Sequence, residues 1–185
     1  MKSKEKKIAL FGGSFNPPHL AHRQVVDYLA NLPDFDEAWV VPTYAHPFVK
    51  ELIPWVHRKR MAELLIADCG PRVKLCTIEE KLGAKPSYMI DSVRALKKKH
   101  PDHVFSIVVG SDCRDDLPKW KNYQELKKEA VFFFVPRPGF EESPFMDISS
   151  TQIRGLIKEK KPVKKYLAPK VAEYIEKNGL YESLD

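Results

Sequence analysis

Residues 8–22, IALFGGSFNPPHLAH, give the clearest indication of the fold class. Its first four residues are apolar and predict a short β-strand, Gly12 and Gly13 permit a sharp turn, and a helical period begins at Leu20. A strand that turns into a helix in this way is typical of an α/β domain. The free N–H groups and the dipole at the start of the helix attract an anion. His19 and His22 are three residues apart, so both can contact one phosphate, although capping or packing would also explain them.

The rest of the chain repeats this alternation of short apolar segments and longer segments of helical period. Further strands are predicted at residues 38–41, 73–78, 104–109, 131–135 and 145–148. Helices are predicted at residues 20–30, 57–68, 87–99, 123–128, 151–158 and 169–177. The pattern predicts an α/β fold with a doubly wound, mostly parallel sheet flanked by helices, whose ligands bind beyond the carboxyl ends of the strands.

The length and composition indicate one globular domain. A chain of 185 residues suits a single core, so we expect one domain over residues 1–185, with a C-terminal helical portion from about residue 151. No apolar run approaches the ~20 residues of a membrane-spanning helix, and no signal-peptide core follows the Lys-rich start. We therefore expect a cytoplasmic protein without a membrane partner.

The charge and the cysteines exclude several other classes. The net charge of +6 suits anionic ligands, but its lysines are concentrated in residues 2–7 and 158–165 without interleaved aromatics, so no nucleic-acid partner is predicted. The three cysteines, at positions 69, 76 and 113, include no CxxC pair and are expected to be reduced thiols. No cluster of metal ligands stands out, so the metal prediction is none.

A second phosphate site is indicated by ISSTQIR, residues 148–154. Ser and Thr are favoured helix N-caps, and capping alone would explain them. An arginine one turn inside the helix allows the same residues to hold a polyphosphate tail. Two such sites at one sheet edge indicate a triphosphate. The chain lacks G-x-G-x-x-G and G-x-x-x-x-G-K-[ST], so neither a dinucleotide-binding oxidoreductase nor a P-loop enzyme is indicated.

Both stretches resemble motifs of the nicotinate- and nicotinamide-mononucleotide adenylyltransferases, a family of the HxGH nucleotidyltransferase superfamily. The first is similar to G-G-[ST]-F-[DN]-P-x-H-x-G-H, with Ala21 in place of the last glycine, and the second to I-S-[SAT]-[ST]-x-[IV]-R. Similar stretches between and beyond them are Pro86-Ser87-Tyr88, Gly110-Ser111-Asp112, Trp120 and Asn178-Gly179-Leu180-Tyr181. The resemblance implies a Rossmann-like nucleotidyltransferase fold and Mg²⁺-dependent transfer of AMP from ATP to nicotinate mononucleotide, with release of pyrophosphate.

The resemblance also implies a role for particular residues. The catalytic residues would be His19, His22 and Arg154. The residues that bind ATP would be Gly12, Gly13, Ser14, Phe15, Gly110, Asp112, Ser149, Ser150 and Thr151. The residues that bind the pyridine nucleotide would be Tyr88, Trp120, Lys50 and Ser92. Arg137 is a further candidate for the phosphate pocket, whereas Arg58 and Arg60 could equally be solvated.

The departures from the family pattern concern the acceptor. Met89 and Ser92 stand where the family commonly has threonines, and residues 44–50 replace its P-P-H-K. Nicotinamide mononucleotide therefore stays open as the acceptor. Phosphopantetheine adenylyltransferases and glycerol-phosphate cytidylyltransferases share the first motif, and a noncatalytic nucleotide sensor is a further alternative. Mg²⁺ would arrive with ATP, and the sequence does not predict the oligomeric state.

Overall fold

Five parallel strands form one sheet. The computed structural model describes residues 5–47 and 52–182, and in these residues the strands are β1 (Lys7–Gly13), β2 (Glu37–Pro42), β3 (Val73–Leu75), β4 (Val104–Gly110) and β5 (Val131–Val135). Their order across the sheet is β3-β2-β1-β4-β5, so β1 lies at the centre. The predicted α/β fold with a parallel sheet is confirmed.

Helices connect the strands and close the chain. The α-helices are α1 (Leu20–Asn31), α2 (Trp55–Ile66), α3 (Ile78–Leu82), α4 (Met89–Lys99), α5 (Tyr123–Glu129), α6 (Ser150–Lys158) and α7 (Pro169–Lys177). Two 3₁₀ helices lie at Ser111–Lys119 and Lys164–Tyr166. No helix in residues 5–47 and 52–182 is both long and apolar enough to cross a membrane.

The central strand is buried on both faces of the sheet. Successive side chains of a strand point to opposite faces. Ile8 and Leu10 accordingly share a core with residues of α4, whereas Ala9 shares another core with residues of α1. This two-sided burial explains why β1 is a continuous apolar run rather than an alternating one.

The C-terminal helices share a core with α2. Met61 of α2, Ile153 of α6 and Val171 of α7 are fully buried and belong to one hydrophobic cluster, which Ala21 at the start of α1 also joins. The cluster places the N-terminus of α6 beside the N-terminus of α1. The two predicted phosphate motifs therefore lie side by side, although 126 positions separate His22 from Ile148.

Two predicted strand segments differ in the structure. No strand forms at residues 145–148. The Met146 N–H donates to the side-chain oxygen of Gln24 at 2.7 Å and not to a carbonyl of a neighbouring strand. The strand predicted at residues 73–78 ends at Leu75, and α3 begins at Ile78. Glu79 and Glu80 in the first turn suit the positive end of that helix, and Gly83 ends it in the left-handed conformation with φ 64°.

The topology places a crevice between β1 and β4. The chain builds the sheet outward from β1 to β2 and β3 and then continues on the other side with β4 and β5. Such a reversal of strand order opens a crevice at the carboxyl ends of the two central strands, where α/β folds bind ligands. Gly12 and Gly13 end β1, and Gly110 ends β4, so the predicted glycine positions flank this crevice.

Candidate active site

A cleft of about 260 Å³ opens at the carboxyl ends of β1 and β4. Its walls come from both central strands, the start of α4 and the segment that follows the first 3₁₀ helix. The residues that line it are Phe11, Gly12, Gly13, Thr43, His46, Pro47, Glu79, Ser87, Tyr88, Met89, Ile90, Ile107, Val108, Val109, Gly110, Cys113, Trp120, Lys121 and Leu126. A side chain at Gly12 would crowd this space, since a Cβ there would lie 3.0 Å from Met89 Cε.

The two histidines lie together at the start of α1. His19 flanks the helix and His22 lies in its first turn, with ring centroids 3.7 Å apart. Phe15 is fully buried behind them, with its ring centroid 5.0 Å from that of His22. The ring of Phe15 therefore supports the histidines from the core instead of facing the cleft.

A backbone contact fixes the tautomer of His22. Its Nδ1 accepts a hydrogen bond from the backbone N–H of His19 at 3.2 Å. In a neutral imidazole the remaining proton then lies on Nε2, which makes Nε2 the donor. Burial lowers the pKa of His22 well below its usual value, and electrostatic interactions with His19 and Arg137 lower it further. The ring is thus neutral and carries its N–H on Nε2.

Burial also lowers the pKa of His19. The ring is 2% exposed, and burial, with a smaller effect from Arg137, lowers its pKa from 6.5 to about 3. Its Nδ1 is buried without a hydrogen-bond partner among the described residues. A buried polar atom of this kind at a helix N-terminus is suited to a ligand that brings its own donor or acceptor.

Acidification is expected to destabilise the protein through His19. A histidine whose folded pKa lies below its unfolded pKa stabilises the fold above the unfolded value, and this contribution is lost as the pH falls toward the folded value. For His19 that window runs from 6.5 down to about 3. Between about pH 7 and pH 5 the wild type should lose about 2 kcal/mol more of its free energy of unfolding than a His19→Gln variant. Urea denaturation at both pH values measures the difference, and parallel losses would contradict the lowered pKa.

The N-terminus of α6 is bonded to the first motif. Ser149 caps the helix, since its hydroxyl oxygen accepts from the Gln152 N–H at 3.2 Å. The Ser150 hydroxyl donates to the Pro17 carbonyl at 2.8 Å. Arg154 donates to the Asn16 carbonyl at 2.7 Å and to the Thr151 hydroxyl at 3.2 Å. Both helix N-termini are therefore held against one loop, residues 16 and 17.

The end of β4 adds a carboxylate and a cation. A Cβ at Gly110 would overlap the Asp112 carboxylate, so the absence of a side chain there lets Asp112 fold back against the strand end. Arg137 Nε lies 3.7 Å from Asp112 Oδ2. The Arg137 backbone N–H donates to the Ser111 hydroxyl at 3.0 Å. The positive charge of Arg137 also lowers the pKa of both histidines.

Two of the predicted acceptor residues line the cleft. Tyr88, just before α4, and Trp120, just after the first 3₁₀ helix, are both part of its wall. Ser92 does not line it; this residue is 1% exposed, and its hydroxyl donates to the Tyr88 carbonyl at 3.4 Å. Lys50 lies outside the described residues.

Two charged residues that the motifs did not reveal hold the loop after β2. Glu79 lines the cleft and accepts hydrogen bonds from the Ser87 hydroxyl and, at 2.8 Å, from the Tyr44 N–H. Burial raises the pKa of this carboxyl. Arg58, for which the sequence allowed a solvated position equally well, is 2% exposed and donates to backbone carbonyls, among them Ser14 at 3.1 Å. Arg60 is half exposed and pairs with Glu63 at 2.9 Å.

A match between this chain and a family model identifies its class. A family model described as cytidylyltransferase-like matches residues 10–156, a range that includes both phosphate motifs. The fold and the cleft at the carboxyl ends of β1 and β4 agree with this match. The chain is thus a nucleotidyltransferase of the cytidylyltransferase-like class.

Individual relatives narrow the class to a family. The nicotinate-nucleotide adenylyltransferase of Bacillus subtilis (strain 168) is 37% identical, over 96% of this chain and 100% of the relative. Plasmodium falciparum nicotinic acid mononucleotide adenylyltransferase complexed with NaAD has a TM-score of 0.84 at 27% identity, over 96% of this chain and 98% of that chain. The same enzyme complexed with APC gives 0.80 at 25% identity, with the same coverage. This chain belongs to the nicotinate-nucleotide adenylyltransferase family.

Proposed function

We propose that the chain transfers the AMP part of ATP to nicotinate mononucleotide, which forms deamido-NAD and releases pyrophosphate. The observation that supports this function is that hydrogen bonds hold the N-terminus of α6 against the loop before α1, at the end of the central strand. The Ser150 hydroxyl and the Arg154 guanidinium donate to the Pro17 and Asn16 carbonyls. One helix start suits one phosphate group, and two adjacent starts suit a triphosphate.

The histidines and α6 would bind the triphosphate of ATP. The His22 Nε2–H would donate to the α-phosphate, with His19 beside it, while Ser149, Ser150, Thr151 and Arg154 would hold the β- and γ-phosphates. Asp112, folded against Gly110, would accept from the ribose hydroxyls. The contacts that support this arrangement are the 3.2 Å bond that fixes the His22 tautomer and the bonds between α6 and the first motif.

The opposite wall of the cleft would bind the pyridine nucleotide. Tyr88 and Trp120 present flat side chains to the same cavity. Aromatic rings of this kind bind a planar heterocycle at a low cost in conformational entropy. Ser92, which donates to the Tyr88 carbonyl, would act by holding Tyr88 and not by direct contact. For Lys50 a direct contact with the acceptor stays a prediction.

The reaction needs positioning and charge stabilisation rather than a general base. The acceptor's 5′-phosphate oxygen is already ionised at pH 7 and would attack the α-phosphorus directly. Its bond to phosphorus forms as the bond to the bridging oxygen breaks, and pyrophosphate leaves in line. Neutral imidazole donors and Arg154 would stabilise the charge that builds up on the transferred group.

Mg²⁺ enters this proposal as part of the MgATP substrate. In the described part of the chain, no group of three His, Cys, Asp or Glu side chains could hold a metal ion. The phosphate oxygens of ATP are the hard ligands that Mg²⁺ prefers. Bound there, it would neutralise part of the triphosphate charge.

Pyrophosphate release tests the proposed function. The measurement compares kcat/KM for nicotinate and nicotinamide mononucleotide with MgATP in excess. We expect nicotinate mononucleotide to be preferred by about 10²-fold or more, a difference of about 2.7 kcal/mol. A preference for nicotinamide mononucleotide would favour the alternative acceptor. If neither releases pyrophosphate, the proposed function is wrong and phosphopantetheine becomes the acceptor to test.

Three broader features stay predictions from the sequence. They are the single domain over residues 1–185, the cytoplasmic location and the lack of a nucleic-acid partner. The shared core of α2, α6 and α7 supports the first of these.

A further inference from the structure

The chain makes a tight turn directly after α7. The Gly179 N–H donates to the Glu176 carbonyl at 3.2 Å. The Leu180 N–H donates to the Ile175 carbonyl at 3.1 Å. Gly179 has φ 57°, and these two bonds around a left-handed glycine form a Schellman motif, which ends the helix. The next residue, Tyr181, is 3% exposed and belongs to the hydrophobic cluster that α2, α6 and α7 share.

The hydroxyl of Tyr181 contacts the first motif. It donates to Oδ1 of Asn16 at 3.0 Å, and Asn16 is itself 1% exposed. Burial raises the pKa of Tyr181, and the positive charges of Arg154 and Arg58 offset this effect only in part. The hydroxyl therefore keeps its proton at neutral pH and is the donor. A buried hydrogen bond thus joins the end of the described chain to the loop before α1.

The loop that receives this bond, residues 14–17, is held by donors from outside it. Its backbone carbonyls accept from side chains of α2 and α6. The three bonds run from Arg58 to Ser14, from Arg154 to Asn16 and from Ser150 to Pro17. Phe15 has φ 47°, a left-handed conformation that a residue other than glycine keeps only where its surroundings hold it. The position of the loop therefore depends on its external donors.

Asn16 joins two of these donors through one residue. Its carbonyl accepts from the Arg154 guanidinium at 2.7 Å, and its side-chain oxygen accepts from Tyr181. The bond to Tyr181 restricts the orientation of Asn16 and with it the direction of the carbonyl that Arg154 contacts. Arg154 is one of the residues that are proposed to hold the β- and γ-phosphates. The buried tyrosine is thus one hydrogen-bonded residue away from the triphosphate site.

We propose that Tyr181 is a positioning residue for the triphosphate of ATP. Its hydroxyl orients Asn16, so that Arg154 and the N-terminus of α6 stay aligned with the start of α1. The inference rests on the proposed function, since it assumes that α6 holds the β- and γ-phosphates. These contacts exist before as well as during the reaction, so their loosening raises the KM for MgATP more than it lowers kcat.

The test is Tyr181→Phe, which keeps the buried ring and removes the hydroxyl. We expect the KM for MgATP, and its Kd measured by calorimetry without acceptor, to rise about 5- to 10-fold, the effect of one hydrogen bond. The KM for nicotinate mononucleotide should stay within about 2-fold, because the acceptor does not contact α6 in the proposed arrangement. An unchanged affinity for MgATP, or an equal rise in both KM values, would overturn the proposal.

A purely structural role for Tyr181 gives a different result. Loss of folded enzyme lowers the apparent kcat and leaves both KM values as they are. Tyr174→Phe is the matched control, because Tyr174 packs against the same hydrophobic cluster and its hydroxyl is bonded to His57 Nδ1 at 3.0 Å. We expect a comparable loss of unfolding free energy in urea, with a Kd for MgATP within about 2-fold of the wild type. If Tyr174→Phe weakens MgATP binding as Tyr181→Phe does, general loosening explains both and the proposal fails.

A double variant tests whether Tyr181 acts through Asn16. Asn16→Ala removes the side-chain oxygen that accepts from the hydroxyl. Two residues that share one interaction have non-additive effects. Tyr181→Phe added to Asn16→Ala should therefore raise the Kd for MgATP by less than about 2-fold. Fully additive effects would show that Tyr181 acts by another route and would contradict the proposal.

The wild type distinguishes this inference from the proposed function. If the wild type binds MgATP but releases pyrophosphate with neither mononucleotide, the proposed function has failed, and weaker MgATP binding by Tyr181→Phe still supports the role of Tyr181. If the wild type releases pyrophosphate and Tyr181→Phe binds MgATP equally well, the role of Tyr181 is wrong and the proposed function stands.

Discussion

The His22→Ala variant is expected to lose about 10²- to 10³-fold in kcat, the usual effect of removing one donor to a transition state. The structure makes the Nε2–H the donor of His22, because its Nδ1 already accepts from the His19 backbone at 3.2 Å. That donor would matter most when charge builds up on the transferred phosphoryl group. We therefore expect a larger effect on kcat than on the KM for ATP, measured by pyrophosphate release at saturating MgATP and acceptor.

His57→Ala is the matched control for this experiment. His57 is also a histidine in the first turn of a helix, but that helix is α2, and its Nδ1 is bonded to the Tyr174 hydroxyl of α7 at 3.0 Å. Its replacement should leave kcat within about 2-fold, as expected for sites that do not contact the reacting atoms. Turnover by His22→Ala at the wild-type rate would refute the role given to His22.

The Arg58→Ala variant should lose about 3 to 5 kcal/mol of unfolding free energy, because several buried carbonyls lose their donor together. Arg58 is 2% exposed. Its guanidinium donates to carbonyls in three separate segments, namely Ser14, Thr43, Tyr44 and Ile53. Thermal unfolding should show a fall in Tm on the order of 10 °C.

Arg60→Ala, on the same helix, is the control for Arg58→Ala. Arg60 is 53% exposed and pairs with Glu63, three residues further along α2. Removal of such a surface pair should change the unfolding free energy by less than about 0.5 kcal/mol. Equal effects of the two substitutions would show that the carbonyl contacts of Arg58 contribute little to stability.

The sequence predicted the sheet because its strands are buried on both faces. Residues of β1 and β2 form continuous apolar runs. Few folds other than a parallel sheet covered by helices bury such runs when segments of helical period separate them. The segment after β3 was harder to predict. In TIEEKLG, residues 77–83, one apolar residue at each end fits a strand or a short helix equally well. The paired glutamates and the closing glycine were the available helix signals.

The site was predictable where its residues are close together in the sequence. The spacing of His19 and His22 and the order Ser149 to Arg154 both describe a helix start, and the structure holds both helix starts against the loop of residues 16 and 17. Arg58 and Glu79 gave no such signal, because their partners are backbone groups of distant loops. A single charged residue within a helical period reads as solvated unless the fold that buries it is known.

The hydrogen bonds between the first motif and the C-terminal part of the chain can form only late in synthesis. The Asn16 carbonyl accepts from Arg154, and the Asn16 side-chain oxygen accepts from the Tyr181 hydroxyl at 3.0 Å, across 165 residues. A ribosome needs on the order of 10 s to add that many residues. The first motif of a nascent chain therefore lacks its Tyr181 contact until residue 181 has been made and has folded back. Its last contacts form only after α6 and α7 have been synthesised.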